Sequence, residues 1–142
     1  MSAASIPLLR HGIDLCEVER IRRAVEGTPG FVDRVFTEGE RAYCRSQADP
    51  AMHYAARFAA KEAALKALGI GLGGIGVTRS LQDVEVVRDG GPPRLRLAGK
   101  PGRVAAGLGI RATSLSLTHT KEHAVASVVM LGTAPEEGED GR

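Results

Sequence analysis

The stretch Arg57-Phe58-Ala59-Ala60-Lys61-Glu62-Ala63-Ala64-Leu65-Lys66 threads two lysines, an arginine and one glutamate through a run of alanine and bulky apolar residues. At about 100° per residue, Ala56, Ala60, Ala63, Ala64 and Ala67 gather on one small-residue face of a helix. Tyr54, Phe58, Leu65 and Leu68 form a bulky arc opposite, and the charges flank it. Arg57 and Lys61 lie four apart on one shoulder, Glu62 and Lys66 four apart on the other. A carboxylate and an ammonium projecting together suit a polyanion bridged by a divalent cation. The carboxylate gives the metal a hard oxygen ligand, and the lysine neutralises phosphate oxygens that the metal leaves free. The same Glu-to-Lys spacing is also a common surface pair worth ~0.3 kcal/mol, so this segment alone leaves both readings open.

The pattern predicts a helix over about 51–68, closed by Gly69 and followed by a run with five glycines between Gly69 and Gly76. That run suggests a phosphate cradle, although it lacks the Gly-Lys-Ser/Thr chemistry of a nucleotide loop. Upstream, residues 8–15 read as a strand ending in Gly12-Ile13-Asp14, followed by a helix over about 17–26 that Gly27 to Gly30 stops. Asp14 at that junction is either a helix cap or a metal ligand. Thr37 with Glu40 three residues later has the capping-box pattern of another helix start. Downstream, residues 83–87 and 94–97 alternate at period two around Asp89 to Pro93, a hairpin. A short helix begins near Pro101, and residues 113–118 and 124–130 form a second hairpin. Helices early and strands late give an α+β domain, helices packed on a small antiparallel sheet.

A chain of 142 residues makes one domain with a real core. We expect it to occupy residues 1–131, with 132–142 as a disordered acidic tail rich in Gly, Pro and acid. The net charge of +2 conceals this division, because four acids against one arginine in the tail leave the body at about +5. A modestly basic body suits an acidic partner or a polyphosphate. With no Trp and two Tyr it offers no stacking platform, and nucleic acid is not expected as a partner. No apolar run approaches the ~20 residues that span a bilayer, so no membrane partner is expected either. Cys16 and Cys44 have no metal-ligand spacing and no secretory segment precedes them, which fits a cytoplasmic location.

Three blocks, Gly12-Ile-Asp-Leu-Cys-Glu-Val-Glu-Arg-Ile21, Arg57 to Gly69, and Ser116-Leu-Thr-His-Thr-Lys-Glu-His-Ala124, occur in an order that resembles the holo-acyl-carrier-protein synthase family, the small 4′-phosphopantetheinyl transferases. Thr37-Glu38-Gly39-Glu40 adds a fourth point of agreement, and the blocks span most of the chain from about residue 8 to 130. The resemblance implies transfer of the phosphopantetheine arm of coenzyme A, with Mg²⁺, to a serine of an acyl carrier protein of fatty-acid or polyketide type. It implies Asp14 and Glu62 as metal ligands and Lys66 as the pyrophosphate contact, the three forming the catalytic set. Arg57, Lys61 and His119 are implied as further contacts to coenzyme A. It also implies a homotrimer with coenzyme A in clefts between subunits.

The chemistry of the residues agrees: phosphoryl transfer asks for charge neutralisation and alignment, and two carboxylates with a lysine supply both. The proton acceptor for the serine is open between Glu62 and a metal-bound water held by Asp14. Arg20, Arg23 and Arg34, on or just after the first helix, are the expected docking surface for an acidic carrier. Two other classes compete. A non-catalytic polyphosphate-binding module would have no use for Asp14 and Glu62, which repel phosphate unless a cation intervenes. An interaction protein with merely solvated helix charges would expose Glu62 and leave its pKa ordinary.

Overall fold

The computed structural model describes residues 6–70 and 81–134. Strand β1 (Ile6–Glu17) leads into helices α1 (Val18–Gly27), α2 (Phe31–Val35), α3 (Glu38–Arg45) and α4 (Pro50–Leu68). Strands β2 (Val84–Val87) and β3 (Arg94–Leu97) follow, then helix α5 (Gly99–Gly107) and strands β4 (Ile110–His119) and β5 (His123–Ala134). The architecture is α+β, with two antiparallel sheets where one was expected. A three-stranded sheet runs β1-β5-β4, and β2-β3 is a separate hairpin. β5 continues past residue 131, so that expected domain boundary falls inside a strand; of the expected tail, 132–142, residues 135–142 lie outside the described residues.

β1 pairs with β5 along its whole length, Ile6 opposite Ala134 and Glu17 opposite His123. Its alternation sends Gly12 and Cys16 inward, with Leu9, Ile13 and Leu15 left on the outer face. β5 turns Ala124, Ala126, Val128 and Met130 inward, all fully buried. The alanine-rich helix α4 lies across this inner face. Small residues on both sides let backbones approach, most closely at Gly12, where a Cβ would overlap the backbone carbonyl of Ala63. A side chain at position 12 would therefore force strand and helix apart.

α4 is buried nearly all round, its small-residue face and its bulky arc both covered. Tyr54, Phe58, Leu65 and Leu68 face Phe36, Val84 and other members of the same core, and Arg57 and Lys61 are buried with them. A helix in the centre of a domain is apolar on every side, and its alanines are covered by strands of its own chain. Its C-terminus closes with Gly69 at φ 72°, Gly69 N–H bonding Lys66 O and Ile70 N–H bonding Leu65 O, a Schellman arrangement. Arg10 Nε adds a bond to Ala67 O at 2.5 Å, a cation at the negative end of the helix. Most of the glycine-rich run lies outside the described residues. The capping box of α3 is present as expected: Glu40 N–H donates to Thr37 Oγ1 and Thr37 N–H to Glu40 Oε1.

Candidate active site

Asp14 lies within β1 rather than at a helix cap; the N-cap position of α1 is Glu17, which makes no side-chain cap bond. The strand pleat turns Asp14 to the same side as Gly12 and Cys16, toward α4, and its carboxylate is largely shielded from solvent. From α4, Lys66 Nζ donates to Asp14 Oδ1 at 3.2 Å and to Ile13 O at 3.0 Å. An ammonium has three N–H donors, so one has no partner among the described residues, and the side chain is exposed.

Glu62, one turn before Lys66, is half-buried. Burial raises its carboxyl above the usual range and the nearby Asp14 charge raises it further, while Arg20 and Lys66 pull it down. Asp14, Glu62 and Lys66 are thus brought together, with Arg20 of α1 beside them. Two carboxylates share this place with two cations, and burial with the Asp14 charge still outweighs the cations at Glu62. Neither exposure nor an ordinary pKa describes Glu62, which counts against merely solvated helix charges. Cys16 next to this group is inert, its thiol pushed up to about 11 by burial and then by Asp14.

Arg57 stands elsewhere. It precedes Glu62 by five residues, about 140° around the helix and roughly 7.5 Å along it. Its guanidinium lies 4.0 Å over the ring of Tyr43 from α3, a cation–π contact. Arg57 is only 3% exposed, and its Nε has no hydrogen-bond partner among the described residues. It lines a recess of about 250 Å³ with Tyr43, Glu85, Arg88 and Arg96. His53, one turn before Arg57, is edge-on to Tyr43 and to His119, with ring centroids 5.7 and 6.0 Å away. Burial lowers the pKa of His53, and Arg57 and His119 lower it further. His119 at the end of β4 thereby joins Arg57 in a second, cationic cluster. His53, Tyr43 and Arg88 escaped the sequence reading. The i, i+4 spacing of His53 and Arg57 was available as a signal, whereas nothing local ties Tyr43 or Arg88 to them.

Lys61 is a correction to the expected set of coenzyme contacts. It is 0% exposed, and its Nζ bonds Glu40 Oε1 at 2.6 Å, Leu81 O at 2.9 Å and Val84 O at 2.6 Å. All three N–H donors are used inside the protein, leaving none for a phosphate. Desolvation lowers its pKa, partly countered by Glu40.

The three expected docking arginines do not form one group. Arg20 and Arg23 are exposed on α1, Arg23 lying 3.8 Å from Glu19. Arg34, on α2, turns back to donate to Pro29 O at 3.2 Å.

Among the described residues no three His, Cys, Asp or Glu side chains group as a metal cage, so the Asp14–Glu62 pair would give a cation two protein ligands. No described helix is long and apolar enough to cross a membrane.

Comparison with known proteins bears on this arrangement. The holo-[acyl-carrier-protein] synthase of Chloroflexus aggregans is 50% identical over 133 residues, covering 86% of this chain and 94% of its own. That of Koribacter versatilis is 46% identical over 125 residues, covering 87% and 98%. A crystal structure of the Bacillus anthracis holo-(acyl-carrier-protein) synthase, in complex with CoA (3′,5′-ADP), superimposes with a TM-score of 0.70 at 33% identity, covering 89% of this chain and 99% of that one. Residues 10–127 match the profile of the 4′-phosphopantetheinyl transferase superfamily, a span that holds Asp14, Glu62, Lys66 and His119 alike, and the chain belongs to that family.

Proposed function

We propose that this protein is a holo-acyl-carrier-protein synthase. It transfers 4′-phosphopantetheine from coenzyme A to a serine hydroxyl of an apo acyl carrier protein and releases adenosine 3′,5′-bisphosphate. The observation that carries the reading is the convergence of Asp14, Glu62 and Lys66 in a chain whose relatives are synthases over nearly their whole length. The test is mass spectrometry of an apo carrier incubated with the protein, coenzyme A and Mg²⁺. Addition of the phosphopantetheine mass is expected, and an unmodified carrier would refute the reading.

Asp14 and Glu62 suit Mg²⁺ because both are hard oxygen donors, and the raised pKa of Glu62 marks a charge that a cation would relieve. With two protein ligands the ion would keep positions for water and phosphate oxygens, and it would supply charge neutralisation to the pyrophosphate. The rest of the work belongs to the side chains. The serine oxygen forms a bond to the phosphorus that carries pantetheine, and the bond from that phosphorus to the adenosine bisphosphate oxygen breaks. Glu62 accepts the serine proton. The third N–H of Lys66 meets the charge that develops on the leaving oxygen. Arg57 and His119 with His53 hold phosphate at the nucleotide end, Arg57 through a guanidinium already ordered by Tyr43.

Those two clusters sit on different sides of α4, so one bound coenzyme would have to wrap the helix to meet both in a single subunit. A homotrimer, with the coenzyme in a cleft between subunits, removes that difficulty. The outer face of the three-stranded sheet supports assembly: Leu9, Ile13 and Leu15 are 69%, 55% and 64% exposed in the single chain, with Leu131 beside them. The alanines of α4 are unavailable for that purpose. Light scattering is expected to give a trimer, and Leu9→Arg to yield a smaller species of reduced activity. A parent that is a fully active monomer on dilution would contradict the assembly.

The acidic carrier is taken to dock on Arg20 and Arg23, with Arg20 next to the carboxylates. Surface charges of this kind mainly speed encounter and are screened over ~8 Å at physiological ionic strength. Arg20→Glu is therefore expected to raise KM for the carrier and flatten its salt dependence, with KM for coenzyme A little changed. A rise confined to coenzyme A would move Arg20 to the nucleotide site.

A further inference from the structure

The only lysine of α4 that faces the interior is tied to three separate points. Lys61 Nζ reaches Glu40 at the start of α3 and the carbonyls of Leu81 and Val84 at the entry to β2. Glu40 is itself fully engaged: Oε1 also accepts from Thr37 N–H at 2.9 Å, and Oε2 accepts from Val86 N–H at 2.9 Å. Thr37 Oγ1 extends the network by donating to Glu85 Oε2 at 2.6 Å. A buried, hydrogen-bonded ion pair is weak evidence for stability, since well-packed apolar residues often replace one without loss. What such a pair does supply is direction. Each of its bonds has one geometry, whereas the surface that α4 offers to β1 and β5 is made largely of alanine, and the bonds of Lys66 and Arg10 tie only its C-terminal end to β1.

Rotation of α4 matters because Glu62 follows Lys61 directly and must meet Asp14 on another element. A side-chain end lies about 6 Å from the axis of a helix, so a turn of about 10° moves it by roughly 1 Å. A displacement of that size in a reacting group can cost up to ~10²-fold in rate. Gly12 against Ala63 holds the separation of helix and strand but not the angle about the helix axis. We infer that Lys61, through its buried contacts with Glu40, Leu81 and Val84, is a positioning residue that sets the rotation of α4 and so places Glu62 against Asp14. This rests on the transferase reading of Glu62 and assigns Lys61 no contact with substrate.

The test compares the parent with Lys61→Met and with the double variant Lys61→Met/Glu40→Gln. The single change leaves a buried carboxylate without its partner and is expected to lower Tm clearly. The double change removes the unpaired charge and keeps one of the two backbone N–H bonds that Glu40 accepts, while the Leu81 and Val84 carbonyls lose their donor, so it is expected to recover part of the lost Tm. It is not expected to recover turnover: kcat for transfer to the carrier should stay ~10-fold or more below the parent, with a smaller rise in KM for coenzyme A, because Arg57 and His53 turn with α4 but a bound phosphate tolerates a ~1 Å shift better than a reacting group does. A double variant with parental kcat would overturn the inference, showing that the pair serves stability alone. A double variant that does not fold would also overturn it, since the pair is then a folding requirement. An equal loss in KM would overturn it by returning Lys61 to coenzyme binding. A parent inactive with coenzyme A and apo carrier refutes the transferase reading first, and this inference with it, without any variant being needed.

Discussion

The Glu62→Gln variant is expected to lose phosphopantetheine transfer by on the order of 10³-fold, the range seen when an acid–base group or a preorganised charge is removed, and yet to melt at a higher temperature than the parent near neutral pH. The second half follows from the sign of the pKa shift. Burial and Asp14 raise the Glu62 carboxyl, so the folded state holds that proton more tightly than the unfolded chain does. Its contribution to stability is fully present below the unfolded pKa and is lost as pH rises through the folded value. At pH 7 the parent therefore carries an unfavourable carboxylate that glutamine removes, and the gap in Tm should close toward pH 4. Melting curves with a chelator present read this directly. Retention of more than a tenth of the activity would sink the assignment of Glu62, and identical Tm values at pH 7 would sink the electrostatic account. Asp14→Asn should lose activity in parallel, and Lys66→Ala by ~10²-fold.

Gly12→Ala is expected to be the most damaging single methyl group that can be added to the described fold. Its Cβ would overlap the Ala63 carbonyl and crowd Ala67 N, both backbone atoms that no rotamer change can move aside. Overpacking of this kind costs about 3 kcal/mol at its upper end, only slightly offset by the lower chain entropy of alanine. In a domain of this size that is a fall of roughly 10 °C in Tm. Gly27→Ala is the control: nothing lies within 4 Å of its Cβ, and Tm should hold or rise slightly. A Gly12→Ala protein that melted within 2 °C of the parent would show that strand and helix are not in such close contact.

What the sequence made legible was local. The period of α4, its end at Gly69, the capping box at Thr37 and the β2–β3 hairpin are all encoded within a few residues of where they act. The approach of Asp14 to Lys66 came from matching blocks rather than from any spacing, since 52 positions separate them. The burial of Lys61 and Arg57 was not legible, because their partners Glu40 and Tyr43 belong to another helix, and a lysine among alanines looks like a surface residue until its acceptors are known. For the same reason the local sequence left Asp14 open between helix cap and metal ligand: the extension of β1 to Glu17 depends on β5, more than a hundred residues away. The five-residue helix α2 was missed because it has too few turns to show a period.

That pairing of β1 with β5 also constrains the order in which the protein can form. The first strand described finds its hydrogen-bond partner only in the last, so the sheet cannot close until nearly all of the chain has left the ribosome, and Leu9, Ile13 and Leu15 wait uncovered meanwhile. α4 packs chiefly against β1 and β5 rather than against the other helices, so the helical part gains its main support only when the sheet completes across the alanine face of α4, the late, slow step of a topology with high contact order.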